Sequence, residues 1–265
     1  MIKKTNATSA ANFVRHVLVF FGFIAAWELA IWFFEISKIV IPAPSDVSVA
    51  LFRDLSTSGF YWHSWVTLYE ILAGFLLGAF SGLLVGFVIA LSPTLNRFLY
   101  PYVIAFQTVP KVAIAPIIVI WFGYGVTSKI VITATVAFFP LVANTIVGLR
   151  AAPAVQIEML TAHTATSWQV FRLVRLPSAL PYIFVGLNIA IVLAVIGAIV
   201  GEFVGSKAGL GFLILQKNFN FDMAGTFGVL IVLSSIGIIL HWIVSEIQRR
   251  VIFWMDLSGE NLNGV

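Results

Sequence analysis

The stretch Glu158-Met-Leu-Thr-Ala-His-Thr164-Ala-Thr-Ser-Trp168-Gln-Val-Phe-Arg-Leu-Val174-Arg-Leu-Pro177-Ser-Ala-Leu-Pro181 decides how this chain is read. About twenty residues of helix-forming but hydrophilic sequence lie between two long apolar segments, and two prolines close them. Two membrane spans can be joined by a handful of residues, so an ordered insert of this length predicts a docking surface. Its pattern predicts a short helix along the membrane surface over roughly Glu158 to Ala165, then a turn at Thr166-Ser167. Ser167 is expected to cap a second helix running through Arg175. Small residues at Ala162, Thr164 and Ala165 would let the first helix sit deep in a partner's groove. Pro177 and Pro181 would then end the segment sharply and pass its movement to the next span. The plainer alternative is a solvated hairpin in which Glu158 complements a helix N-terminus.

Composition puts the flanking segments in a membrane. Apolar residues make up 60% of the chain and charged ones 10%, too few to give it a polar surface, since a soluble domain carries about 25%. With no cysteine, disulfides, thiolate metal sites and a cysteine nucleophile are excluded. Crossing a bilayer takes about 20 helical residues, and six stretches qualify: approximately 17–34, 65–91, 98–122, 129–147, 182–201 and 225–245. The first is longer than a signal-peptide core and has Trp27-Glu28 inside it, so it reads as a retained span and not a signal peptide. Between the first two spans, Ser45 is the expected N-cap of a short surface helix with Val47, Leu51 and Leu55 on one face. The expected fold is therefore all-α and integral to the membrane, one transmembrane domain over 1–255, with the segment 149–181 between spans 4 and 5 and a polar tail at 256–265.

Inside the spans, Gly74, Gly78, Gly82 and Gly86 recur at a four-residue interval, a stripe that lets another helix approach closely, within one subunit or between two. Gly186, Ala190, Ala194 and Ala198 repeat the device in the fifth span. Pro110 and Pro116 are expected to break the third span, which then lines a protein-enclosed pathway, because lipid tolerates broken backbone poorly. Lys111, with Gln107 one turn earlier, puts an ammonium at membrane depth. Either it offers positive potential to an anionic solute, or it snorkels or pairs with a glutamate such as Glu70. Glu202 is a candidate for an extracytoplasmic gate or an ordinary interfacial carboxylate, and Asn144 and Asn188 are expected to bond between helices.

Lys3, Lys4, Arg15, Arg97, Arg150, Arg172, Arg175, Arg249 and Arg250 fall on one side of such a fold, against Lys38, Arg53, Lys129, Lys207 and Lys217 on the other. That bias makes the side with both termini and the polar insert cytoplasmic. The sequence holds no Gly-x-x-x-x-Gly-Lys-Ser/Thr, no Gly-x-Ser-x-Gly and no histidine pair at metal-ligand spacing. No catalytic residue, metal site or nucleic-acid surface is expected, and energy must come from a gradient or from another subunit.

The insert also resembles a known element. Glu158, Thr164, Val174 and Leu176-Pro177 follow the spacing of the EAA loop of ABC-importer permeases, with Met159 and Leu160 where that family usually has two alanines and Thr164 where it usually has glycine. Val109-Pro-Lys-Val-Ala-Ile-Ala-Pro116 with Ile120-Trp-Phe-Gly123, and Gly201-Glu-Phe-Val-Gly205 with Gly209-Leu-Gly211, resemble the branch importing sulfonates, taurine, nitrate or thiamine-precursor pyrimidines. The likeness covers roughly residues 40 to 250. It implies the membrane subunit of a bacterial inner-membrane importer, present as two copies, with two cytoplasmic ATPase subunits holding ATP and magnesium and an extracytoplasmic binding protein. It implies that Glu158, Ala162, His163, Thr164, Ala165, Ser167 and Pro177 couple the chain to the ATPase. A self-sufficient secondary transporter or channel is the alternative, and such proteins often show inverted repeats and deep acidic residues.

Overall fold

The computed structural model describes residues 4–254, with side chains from residue 14 onward. Lys3, the side chain of Lys4 and the expected tail at 256–265 lie outside the described residues. Every regular element among the described residues is helical: α1 (Lys4–Phe33), α2 (Pro44–Leu55), α3 (Ser58–Leu91), α4 (Pro93–Thr108), α5 (Lys111–Phe122), α6 (Val126–Arg150), α7 (Ala154–Ala162), α8 (Ser167–Val170), a π-helical turn (Phe171–Arg175), α9 (Leu176–Gly205), α10 (Leu210–Phe219) and α11 (Met223–Val251). Five helical runs are long and apolar enough to cross a membrane, and the count is six when the bent pair α4–α5 is taken as one span. The chain divides into two compact units, Met1–Trp62 with Leu213–Val232, and His63–Phe212 with Leu233–Val265.

In the first unit, most of the Val14–Phe33 surface faces outward, an apolar exposure that water would penalise and hydrocarbon does not. Helix α2 begins differently from the expectation. Ala43 is its N-cap, Pro44 occupies the first turn, where its missing N–H costs nothing, and Ser45 gives both its N–H and its hydroxyl to the Glu28 carboxylate at 3.0 and 2.7 Å. The other end of α2 is tied by Asp54 to Lys217 at 2.8 Å.

In the second unit the small-residue stripes set the packing. Side-chain carbons added at Gly78 and Gly82 would stand 2.5 Å from the Ala134 carbonyl oxygen and 2.8 Å from that of Phe138, and Gly74 and Gly86 face Thr133 and Thr145. All four partners lie on α6, so the α3 stripe meets a helix of the same chain. Helix α9 packs on α6 in the same way, with Gly186 against Asn144 and Gly197 against the Thr133 backbone. The core these approaches create holds Ile71, Phe75, Leu141, Ala190, Ala194, Ala198 and Leu240. Asn188 bridges from α9 to Gln248 and Ser245 of α11. Asn144, expected to do likewise, turns back onto the Pro140 carbonyl of its own helix at 2.8 Å.

Candidate functional site

The polar insert is built almost wholly from local bonds. Pro153 starts α7, and none of its nine residues is buried. The end of α7 is a Schellman turn: Ala165 N–H donates to the Leu160 carbonyl and Thr164 N–H to that of Thr161, both at 3.0 Å. Thr164 closes it in the left-handed region, at φ 62°, where a β-branched residue is strained and glycine is not. Thr166, not Ser167, then caps α8. Its hydroxyl accepts from Gln169 N–H at 3.3 Å, and the Gln169 side chain accepts from Thr166 N–H at 2.7 Å, a complete capping box.

The expected stop at Pro177 and Pro181 does not occur. One helical run continues from Ser167 to Gly205. Leu176 N–H reaches the Phe171 carbonyl, one residue further back than an α-helical bond, and this π-turn re-registers the chain just ahead of Pro177. Pro177 then falls in the first turn of α9, where a missing donor is harmless. Trp168 stacks on Phe171 and Phe171 meets Phe87 of α3 edge-on, fixing the insert to the helix bundle above a cavity of about 710 Å³. Glu158, Ala162, His163, Thr164 and Ser167 are exposed, whereas Ala165 and Pro177 are half-buried.

The third span bends by 93° between α4 and α5. The break is at Val109-Pro110 alone. Val109 takes the extended ψ of 128° that a following proline imposes, and Pro116 lies inside an unbroken α5. Lys111 folds back across the break, giving its ammonium to the Gln107 carbonyl at 3.0 Å and lying 5.0 Å from the centre of the Phe139 ring. Gln107 donates to the Phe139 carbonyl at 3.3 Å. Gln107, Pro110 and Lys111 thus converge at the break, and the pairing of Lys111 with Glu70 is not made.

Glu70 lies instead in a buried polar cluster around Glu202. The four residues that open α10 need acceptors for their N–H groups, and distant side chains supply them. His63 Nδ1 accepts from Gly209 at 3.0 Å, Thr67 Oγ1 from Leu210 at 2.7 Å, and the Glu202 carboxylate from Gly211 at 2.5 Å and Phe212 at 3.2 Å. The Thr67 hydroxyl donates onward to Glu202 at 2.6 Å. Gly209 has φ 109° with the carboxylate against it, so no other residue fits there. Lys129, expected on the extracytoplasmic surface, is 1% exposed, and its ammonium holds the carbonyls of Tyr124, Gly125 and Gly205 at 3.0, 3.1 and 2.6 Å. Glu202 is therefore the cap of α10, and its contacts are not with the Lys111 group. His63, Thr67 and Lys129 were not singled out from the sequence, because no local spacing links them to residues more than 70 positions away.

Residues 74–253 match the family model described as "Binding-protein-dependent transport system inner membrane component". The chain is 34% identical over 237 residues, 89% of its length and 94% of the relative's, to the formylaminopyrimidine transport permease protein ThiX of Halalkalibacterium halodurans. It is 35% identical over 228 residues, 86% and 85% of the two lengths, to the riboflavin transport system permease protein RibX of Chloroflexus aurantiacus. Its fold resembles that of a chain of the MetNI methionine ABC transporter in an inward-facing conformation, with a TM-score of 0.63 and 23% identity over 74% of this chain and 99% of that one.

Proposed function

This chain belongs to the family of inner membrane components of binding-protein-dependent transport systems, and from that premise we propose that its exposed insert is the lever through which separate ATP-hydrolysing subunits drive it. It is a multi-pass permease subunit of an ABC importer for small solutes, a transport component and not a catalytic one. In our reading the coupling segment is 149–181, within a single permease domain whose termini both face the cytoplasm. ATP and magnesium are held by the cytoplasmic partners, a binding protein delivers the solute from outside, and two copies of the chain form the pathway.

The observation that carries this reading is the construction of the insert. A helix with no buried residue, locked at its end by a Schellman turn and a capping box, is a rigid projection. It continues through a π-turn into one membrane-crossing helix, so a push on α7 or α8 reaches the membrane without a flexible joint. Switching a pathway from 1:99 to 99:1 requires about 5.5 kcal/mol of differential binding, which a rigid element can transmit. In the same reading the solute path runs by the α4–α5 break. There Lys111 is held by a carbonyl and a ring face and sets positive charge beside the break, which suits a small anionic solute of the sulfonate, taurine or nitrate class, while a pyrimidine precursor fits the same fold.

Replacing Ala162 and Thr164 by arginine tests the coupling. Both side chains are exposed, so the chain should assemble in the membrane, while transport and solute-stimulated ATP hydrolysis in proteoliposomes fall about tenfold or more, equivalent to about 1.4 kcal/mol of lost docking. Survival of both activities would sink the lever.

A further inference from the structure

A second cavity, of about 660 Å³, opens where the ends of α3 and α6 meet the start of α4 and the π-turn. Arg97 of α4, Arg150 at the last position of α6 and Arg175 at the last position of the π-turn line it together. No carboxylate lines it. Among the described residues, the ion pairs use Lys38, Arg53, Lys217, Arg249 and Arg250, so these three guanidinium groups have no acidic partner. Three like charges gathered around one hollow repel each other, and an anion between them reverses the sign of that energy.

Asn96 supplies the second observation. It lines the same cavity, is 9% exposed, and its Oδ1 has no hydrogen-bond partner. A buried amide left unbonded is costly. The rest of the wall is largely apolar, including Leu91, Tyr100, Leu149 and Ile157. The site therefore asks for a group with several anionic oxygens attached to something greasy. Guanidinium forks match phosphate oxygens two at a time, which ammonium groups do not.

We propose that this cavity binds the phosphate of an anionic phospholipid headgroup. Arg150 ends a membrane-crossing helix and Arg97 lies one turn inside the start of the bent pair, so the pocket is at span ends, where headgroups lie. Basic pockets between membrane helices are a recurrent solution for such headgroups. Both leaflets carry phosphodiesters, so the site does not depend on which face is cytoplasmic; because Arg150, Ala152, Ile157 and Arg175 of its wall belong to the 149–181 segment, it does rest on that segment lying at the membrane surface. An occupant would bridge the ends of α4, α6 and the π-turn, three elements that otherwise share no salt link there.

The test uses the full chain purified in detergent with the subunits that co-purify, titrated with dioleoylphosphatidylglycerol, with dioleoylphosphatidylcholine and with inorganic phosphate. Bound lipid is counted by native mass spectrometry, and the unfolding midpoint is followed in parallel. Phosphatidylglycerol should bind and raise the midpoint, and phosphatidylcholine should do neither. Arg97→Gln and Arg150→Gln should each weaken phosphatidylglycerol binding about tenfold, the loss of one charge-assisted contact. Asn96→Asp, nearly the same shape but anionic, should abolish binding in protein that still elutes as a single species. Arg172→Gln removes an exposed charge from the same π-turn outside the cavity and should bind as the parent does. Equal binding of the two lipids, parental affinity in both glutamine variants, or equal weakening by Arg172→Gln would each overturn the proposal. If inorganic phosphate alone reproduces the whole midpoint shift, the phosphate site stands and the lipid as its source is overturned.

Discussion

The C-terminus of α7 and the N-terminus of α10 both leave backbone groups without helical partners, and they are satisfied from opposite distances. At α7 every bond comes from within five residues: Thr164 to Thr161, Ala165 to Leu160, then Gln169 and Thr166 to each other. At α10 two of the acceptors are remote, His63 at 146 positions from Gly209 and Thr67 at 143 from Leu210. The reason is solvent. The α7 turn is exposed, so water stands in for any bond that opens. The α10 start is buried beside Glu202, and an unmet N–H there costs its full desolvation. A locally closed turn keeps its shape when the rest of the chain moves, which suits a lever. A turn closed from α3 and α9 holds only while those helices keep their places.

The largest effect should come from removing the remote cap. Glu202→Ala strips the acceptor from Gly211 N–H, Phe212 N–H and the Thr67 hydroxyl at once. The Thr67 hydroxyl still has the His63 carbonyl at 3.3 Å, so two amides are left unmet, and at about 1–3 kcal/mol for each the loss should be about 2–6 kcal/mol. Thermal unfolding of the purified protein measures it. Glu202→Gln, which keeps an oxygen for the amides, should recover most of the difference. An alanine variant as stable as the parent would mean that water enters the cluster, and the contrast with α7 would vanish.

At α7 the expected change is smaller and opposite in sign. Thr164 pays for its left-handed backbone, about 1–2 kcal/mol for a residue with a side chain, and glycine would not. Glycine has more freedom to lose on folding, worth about 0.4–1 kcal/mol. Thr164→Gly should therefore stabilise the protein by about 0.5–1 kcal/mol in the same unfolding measurement, with coupling intact. A destabilised variant would show that the threonine side chain makes a contact worth more than its strain.

The same contrast explains what could be read in advance. Span positions follow from runs of apolar residues, and the insert follows from their interruption, because both are local. A close approach to α3 was legible from Gly74, Gly78, Gly82 and Gly86, although that α6 of the same chain makes it was not. Prolines misled where geometry elsewhere absorbed them: the π-turn carries the helix past Pro177, and Pro116 costs no break. Lys129 read as a surface charge because it opens a span. Its burial depends on three carbonyls, one of them 76 positions away at Gly205, which no window of sequence contains.

Asp222 combines the two modes, and so sharpens the contrast with the smallest expected effect. It caps α11 locally, accepting from Gly225 N–H at 2.9 Å, and also meets Lys217 at 3.2 Å and Arg53, 169 positions away, at 2.8 Å. Burial alone would raise its pKa. The bonds from Gly225 and Lys217, with the charges of Lys217 and Arg53, outweigh that and hold it below its ordinary 3.8. A carboxylate depressed on folding adds stability that is complete above its unfolded pKa and is lost as pH falls through the folded one. The gap in unfolding free energy between the parent and Asp222→Asn should therefore be constant above about pH 5 and close as pH drops below about 4. Its size should be about 1 kcal/mol at most, because the side chain is 29% exposed and solvent screens the pairs. If the gap stays constant to pH 2, neutral hydrogen bonding to Gly225 accounts for it, and the remote cations add nothing that the local cap does not already supply.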